Sequence, residues 1–242
     1  MGLFCAVIHI YQRSQEEVIQ EVSKEWKENY QISTIERIEG GAKEIEAILG
    51  GKDLPKSGVD YLITTPHGNW TTIIEVNANT NPSFYLTALV NNLSRRLDTY
   101  ALSIYLHDSD VLYYNLANRG QSLDGYNSDC QYFLSEPADK AETLDQRHEP
   151  SAFEPLLRRG KTAKGLNAIL NEGYWAAFDN GDLDEDGVPI EDDKYMIDEY
   201  ERFGKLGKYL EIYTPADYPF VDWYGNSGEL IQAGSCLLRG LQ

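Results

Sequence analysis

The hydrophobic positions of this chain follow the strand period in its first half and the helix period in its last third. The run LFCAVIHIY at residues 3–11 is apolar nearly throughout, which predicts a strand buried on both faces of a sheet. Ser14 and Glu17 then have the spacing of a capping box. Apolar residues recur every four positions from Val18 to Trp26, which predicts a helix after the first strand.

The next segments predict a hairpin, a helix and a second hairpin. DYLITTP (60–66) and WTTIIEV (70–76) read as two strands joined by a tight turn. Asn81 and Pro82 open a helix whose apolar face runs to Asp98. YALSIYLH and VLYYNLA then predict two more strands, and the Asp-Ser-Asp sequence between them is typical of a turn. A further strand is predicted at ISTIERI, residues 32–38.

This order favours an α+β fold with helices on one face of a mainly antiparallel sheet over a doubly wound parallel fold. We predict a ferredoxin-like βαββαβ core within residues 1–134. The polar, proline-bearing stretch 135–151 is a candidate linker. Residues 152–242 are predicted to be mainly helical, packed on the core as part of the same domain, with an apolar stripe formed by Met196, Tyr200, Phe203 and Leu210.

The charge balance limits the choice of partner. The chain has 39 acidic and 21 basic side chains and a net charge of −18, so it should repel nucleic acid and anionic membranes. A basic protein partner fits this charge, and so does simple solubility. The oligomeric state stays open.

Cysteine usage and the first residues indicate a cytoplasmic protein. The 3 cysteines are widely spaced, which fits neither a disulfide framework nor a C-x-x-C metal site and predicts reduced thiols. The opening apolar run is far shorter than a membrane span and has no small-residue cleavage site, so we interpret it as a strand.

The acidic stretch DLDEDGVPIEDD at residues 182–193 has the spacing of a calcium loop. Such loops take oxygens from alternating positions and require glycine at position 6, here Gly187. The matching ligands are Asp182, Asp184, Asp186, the Val188 carbonyl and Asp193. In this local sense the stretch resembles the loops of EF-hand and dockerin-type modules.

Three positions depart from that pattern. Asp193 replaces the bidentate glutamate, Pro189 removes the N–H that normally pairs two loops, and Ile190 offers no side-chain oxygen. Both a weak calcium site and a solvated acidic loop therefore stay open as interpretations.

Seven polar residues between strand 70–76 and residue 127 form a candidate surface site. They are Glu75, His107, Asp108, Asp110, Asp124, Tyr126 and Asn127. Carboxylates beside an imidazole could serve a metal-assisted or acid–base hydrolase. Turn chemistry is the alternative explanation for Asp108 and Asp110.

The run of residues 93–133, with LSRRL, DSDVLYY, YNS and YF, is similar to an uncharacterised bacterial family in which a helix precedes a D-S-D-V-L hairpin. The resemblance covers about a sixth of the chain. The resemblance implies the helix and the hairpin, and it implies no activity.

Three functions fit these observations. The first is a non-catalytic acidic binding protein of the bacterial cytoplasm, such as an immunity-type protein that neutralises a basic partner. The second is a carboxylate- or metal-dependent hydrolase that uses residues 75–127. The third is a calcium-stabilised module, which is compatible with the first.

Overall fold

A computed structural model describes eight stretches of the chain: residues 5–30, 32–39, 58–75, 82–130, 147–184, 187–190, 192–214 and 236–241. Within them no helix is both long and apolar enough to cross a membrane.

Eight strands of the described chain form one sheet in which every neighbouring pair is antiparallel. The strands are β1 (Cys5–Tyr11), β2 (Thr34–Glu39), β3 (Gly58–Ile63), β4 (Trp70–Glu75), β5 (Tyr100–His107), β6 (Val111–Asn118), β7 (Gln121–Asn127) and β8 (Cys236–Leu241). Their order across the sheet is β2-β8-β3-β4-β1-β5-β6-β7.

Six α-helices and a short 3₁₀ helix complete the described structure. They are α1 (Gln15–Asn29), α2 (Pro82–Arg96), the 3₁₀ helix (Pro150–Leu156), α3 (Ala163–Leu170), α4 (Tyr174–Asn180), α5 (Asp192–Tyr195) and α6 (Glu199–Leu210). The α+β class predicted from the sequence is confirmed.

The capping box predicted at the start of α1 is present. The Ser14 side chain accepts a hydrogen bond from the Glu17 N–H, and the Glu17 carboxylate accepts one from the Ser14 N–H at 2.8 Å. Val18, Val22 and Trp26 are buried, as their spacing predicts. Together the cap and the stripe fix where α1 begins and which side of it meets the sheet.

Helices cover both faces of the sheet rather than one. Ala6, Ile8 and Ile10 of β1 pack in one cluster with apolar residues of α1 and α2, and we call this side the α1/α2 face. Cys5 and Val7 pack on the other side with residues of α3, α4 and α6, the C-terminal face. The single helical layer expected from the sequence was therefore wrong. A strand as uniformly apolar as β1 needs cover on both sides.

The last strand was not predicted. β8 lies between β2 and β3, and Arg239 forms a two-pronged ion pair with Asp60 of β3, with N–O distances of 2.9 and 3.1 Å. The segment 152–242 thus ends in a sheet strand after its helices. Residues 135–146 of the candidate linker lie outside the described residues, and Pro150–Leu156 forms the 3₁₀ helix. The division into domains stays a prediction.

Candidate functional site

The structure divides the seven candidate residues among three places. Glu75, His107 and Asn127 lie on the α1/α2 face, at the end of the sheet where β1 begins and β4 ends. The strand register arranges polar side chains in a line there, since Ala6 pairs with Tyr105, Tyr105 with Tyr113, and Tyr113 with Asn127. Glu75 follows Ile74, the partner of Val7, and so lies beside Ala6. We call this line the Glu75 row; its members are Glu75, Tyr105, His107, Tyr113 and Asn127.

Contacts within the Glu75 row join two phenols, an imidazole and an amide. The Tyr105 hydroxyl lies 3.0 Å from His107 Nδ1, and the Tyr105 and Tyr113 rings stack with centroids 6.3 Å apart. The Asn127 side chain hydrogen-bonds to the Tyr113 hydroxyl. Tyr105 and His107 lie on one face of β5, and the other two contacts cross between neighbouring strands, so the backbone register fixes their spacing.

Burial raises the pKa of the acid and of both phenols in this row. It raises the pKa of Glu75 to about 7. It also raises the pKa of Tyr105 to about 12, with the charge of Glu75 as a further cause. Glu75 is therefore expected to titrate close to neutral pH, where a carboxyl group can both donate and accept a proton.

Asp108 and Asp110 lie in the turn between β5 and β6. Asp108 and Ser109 both have positive φ angles, 52° and 65°, and the Asp110 N–H donates to the His107 carbonyl at 2.9 Å. Positive φ at both central residues is the geometry of a type I′ hairpin turn. Hairpin geometry is thus sufficient to explain an aspartate at position 108, while Asp110 closes the turn through its backbone N–H.

Asp124 and Tyr126 lie on the C-terminal face, within a buried polar cluster that we call the Arg202 centre. Its members are Tyr114, Asp124, Tyr126, His148, Glu199 and Arg202, and all are buried.

The guanidinium of Arg202 is completely buried and lies at the middle of this centre. Its Nη1 lies 3.1 Å from the Glu199 carboxylate and also donates to the Tyr126 hydroxyl, while Nη2 donates to the Glu172 carbonyl at 2.9 Å. The Tyr126 hydroxyl in turn donates to the Leu170 carbonyl at 2.9 Å. One side chain of α6 is therefore bonded to β7 and to the loop that follows α3.

Asp124 connects the centre to the segment before the 3₁₀ helix. It accepts hydrogen bonds from the Tyr114 hydroxyl at 2.6 Å and from the Glu149 N–H at 2.7 Å. The neighbouring His148 ring lies edge-on to Tyr126, with centroids 5.7 Å apart. Asp124 and Tyr126 therefore join the sheet to its C-terminal layer and are not surface residues.

Burial dominates the acid–base behaviour of the Arg202 centre. It raises the pKa of Asp124 to about 6, although the hydrogen bond from Tyr114 acts against it. It raises the pKa of Glu199 to about 7, against the opposing effects of Arg202 and the Ser128 hydroxyl. Burial also lowers the pKa of His148, so its ring is neutral at neutral pH.

The sequence analysis missed most of these partners. Tyr105 and Tyr113 are aromatic strand residues that look like packing groups, and His148 falls in the candidate linker. Glu199 and Arg202 carried a visible signal, because they share one helical face with buried apolar residues of α6. The predicted stripe was wrong at Met196, which is 79% exposed and lies outside α6, because the helix begins only after its cap Asp198.

Within the 182–193 loop, residues 182–184 and 187–190 pair as the two arms of a small hairpin. The Asp184 N–H donates to the Val188 carbonyl at 2.8 Å, and the Val188 N–H donates back to the Asp184 carboxylate at 2.8 Å. Gly187 has a φ of 77°, so the glycine predicted for the sharp turn is used in that way. Leu183 and Pro189 form an antiparallel bridge across the loop.

Three of the five predicted calcium ligands are engaged with protein donors. Besides Asp184 and Val188, the Asp182 carboxylate accepts from Lys194 at 2.9 Å and from the Tyr195 hydroxyl. Asp186 and the side chain of Asp193 lie outside the described residues. Among the residues that are described, no group of three or more His, Cys, Asp or Glu side chains is arranged to hold a metal ion.

The region around this loop also exposes apolar side chains. We call residues 179–201 the acidic segment, because it contains 11 acidic residues and only one basic residue. Of the four exposed large hydrophobic residues in the described chain, three belong to it: Val188 at 41%, Ile190 at 65% and Met196 at 79% exposure. Exposed apolar groups surrounded by charge of one sign are typical of an interaction surface.

Searches for similar proteins found no matching family model, no matching curated protein and no matching solved structure.

Proposed function

We propose that this chain is a non-catalytic binding protein whose acidic segment holds a basic, partly apolar protein surface. The observation that carries the proposal is the exposure of Val188, Ile190 and Met196 within 23 residues that contain 11 acidic side chains. Acidic groups steer a basic partner toward the surface, and the apolar side chains supply contact area that remains bound after screening. Neutralisation of a basic toxin, as immunity-type proteins do, is the biological role that fits.

Peptide binding tests the proposal. We expect a helical peptide of lysine and leucine to bind the full chain, and a peptide of glutamate and leucine not to bind. The double change Ile190→Ser and Met196→Ser should weaken binding by about tenfold or more, since each lost apolar contact is worth roughly 1–2 kcal/mol. Fluorescence anisotropy at low and high salt measures both effects.

The matched control is Leu123→Ser, because Leu123 is 42% exposed but lies in β7, outside the acidic segment. The affinity of the Leu123→Ser variant for the basic peptide should equal that of the unchanged chain. Equal affinity for both peptides, or equal losses in the control and the double variant, would contradict the proposal.

A hydrolase is the second candidate, and the Glu75 row favours it. Glu75, with its pKa near 7, and His107 both interact with the one Tyr105 side chain, so an acid and a base lie on the same patch of sheet. If the chain hydrolyses p-nitrophenyl acetate or p-nitrophenyl phosphate, Glu75→Gln should lower the rate by about 100-fold or more. Asp110→Asn in the turn is the control. Equal rates in both variants would exclude Glu75 as the acid–base group.

Calcium binding in the 182–193 loop is a further proposal. The ion would have to replace Lys194 and Tyr195 at the Asp182 carboxylate, so we expect a dissociation constant of about 1 mM or weaker. Isothermal titration calorimetry with calcium should give heat that disappears in Asp182→Asn. The absence of heat at millimolar calcium in the unchanged chain would end this proposal.

The fold supports a ferredoxin-like core made of β1, α1, β3, β4, α2 and β5. Its support is the strand order β3-β4-β1-β5 together with the packing of α1 and α2 on one face. β2, β6, β7 and β8 would then be additions at the two edges. An experimental structure with another strand order would refute this assignment.

A bacterial cytoplasmic origin is also proposed. The similarity of residues 93–133 to an uncharacterised bacterial family supports the bacterial part. The thiols of Cys5, Cys130 and Cys236 are free and buried, which fits a reducing compartment. Recovery of the protein outside the cytoplasm on cell fractionation would contradict it.

A further inference from the structure

We infer that the Arg202 centre is a hydrated site, in which an ordered water molecule joins Arg202 Nε, Glu199 Oε2 and His148 Nδ1. The inference concerns the interior of the protein and is independent of the binding surface proposed above.

Three polar atoms of this centre are buried without a hydrogen-bond partner in the described protein. They are Arg202 Nε, Glu199 Oε2 and His148 Nδ1, and their residues are 0%, 4% and 6% exposed. Natural proteins seldom leave buried donors and acceptors unpaired, because such groups lose their hydration on folding and gain nothing in return. Internal water is the usual means of satisfying them, typically through about three hydrogen bonds.

The three atoms belong to side chains that surround Tyr126. Arg202 donates to the Tyr126 hydroxyl and pairs with Glu199 at 3.1 Å. The His148 ring lies edge-on to Tyr126 at 5.7 Å, and the charge of Arg202 is one of the causes that lower the pKa of His148. The three side chains therefore form one contiguous cluster around Tyr126, in which we place the water molecule.

The polarity of the three atoms matches one water molecule. Arg202 Nε is a donor, and Glu199 Oε2 is an acceptor when the carboxyl is ionised. His148 Nε2 lies 2.6 Å from Asn167 Oδ1, so Nε2 carries the proton and Nδ1 of the neutral ring accepts. A water molecule can accept from Arg202 and donate to the other two atoms.

Charge excludes the two other kinds of small ligand. An anion would be attracted by Arg202 but would meet the carboxyl groups of Glu199 and Asp124. A metal cation would be favoured by those carboxyls but would lie against the guanidinium, which stays protonated. A neutral molecule that both donates and accepts is the class that fits.

A crystal structure at a resolution that shows water tests the inference directly. We expect a water oxygen within hydrogen-bond distance of Arg202 Nε and of at least one of the other two atoms. Density for an anion, a metal or a protein side chain at that position would overturn the inference, and so would a dry centre.

Water relaxation dispersion measures the same site in solution. Long-lived internal water contributes to the measured relaxation dispersion. That contribution should fall in His148→Phe, which removes one acceptor and retains an aromatic ring. Lys205→Met, at an exposed position of the same helix, should leave the contribution unchanged. If His148→Phe fails to fold, the crystal structure of the unchanged chain still decides. An unchanged contribution in a folded His148→Phe protein would overturn the inference.

Discussion

Replacement of Arg202 by methionine is expected to lower the free energy of unfolding by about 3–5 kcal/mol, the usual cost of removing one partner from a buried ion pair. Arg202 is fully buried, and its guanidinium pairs with Glu199 and donates to Tyr126 and to the Glu172 carbonyl. Methionine fills similar space, so the loss comes from the unpaired carboxylate and the unsatisfied acceptors rather than from a cavity. Urea unfolding at about pH 8 measures the effect.

Lys205→Met is the matched control for this change. Lys205 lies one helical turn after Arg202 and pairs with Glu172 at 2.8 Å, but its side chain is 48% exposed. Exposed ion pairs contribute less than about 1 kcal/mol, because water screens them. Similar losses of unfolding free energy in the two variants would show that the buried Arg202 pair contributes no more to stability than the exposed Lys205 pair.

The second large effect is a pH dependence that Glu199→Gln should remove. Burial raises the pKa of Glu199 from 4.5 to about 7 in the folded protein. Between those two pH values the folded state holds a proton that the unfolded state has already released. The contribution of Glu199 to stability is therefore complete below pH 4.5 and is lost as the pH rises through 7.

Glutamine does not titrate. As the pH rises, the free energy of unfolding of Glu199→Gln should therefore increase relative to that of the unchanged chain. Since one pKa unit corresponds to about 1.4 kcal/mol, we expect the gain to reach roughly 3 kcal/mol between pH 4 and pH 8. The measurement is the difference in unfolding free energy between the two proteins across this range. The control is Glu201→Gln, at an exposed position of α6. The difference in unfolding free energy between this variant and the unchanged chain should not vary with pH. A constant difference for Glu199→Gln would show that its pKa is not raised by folding.

Local signals explain which parts of the fold could be predicted. The cap of α1 depends on Ser14 and Glu17, and the turn between β5 and β6 depends on Asp108 and Ser109. Neighbouring residues determine these features, so the sequence alone shows them. β8 depends instead on pairing with β2 and β3, and nothing within residues 236–241 indicates those partners.

The candidate residues show a similar division. Glu75, His107 and Asn127 come together on one face, but whether they act on a substrate stays a prediction. Asp124 and Tyr126 lie on the opposite face from Asn127, since successive strand residues point to opposite sides. That alternation was available from the sequence. The sequence also places Glu199 and Arg202 on the apolar face of α6, but not beside Tyr126, because tertiary packing sets where that helix docks.

The position of β8 affects how the protein is made. Asp60 of β3 and its partner Arg239 are 179 residues apart in the chain. During synthesis β3 therefore presents one unpaired edge from the time it emerges until almost the whole described chain has been translated. Open strand edges attract other strands, and distant pairings form slowly. We therefore expect nascent chains of this protein to be prone to aggregation until β8 closes the sheet.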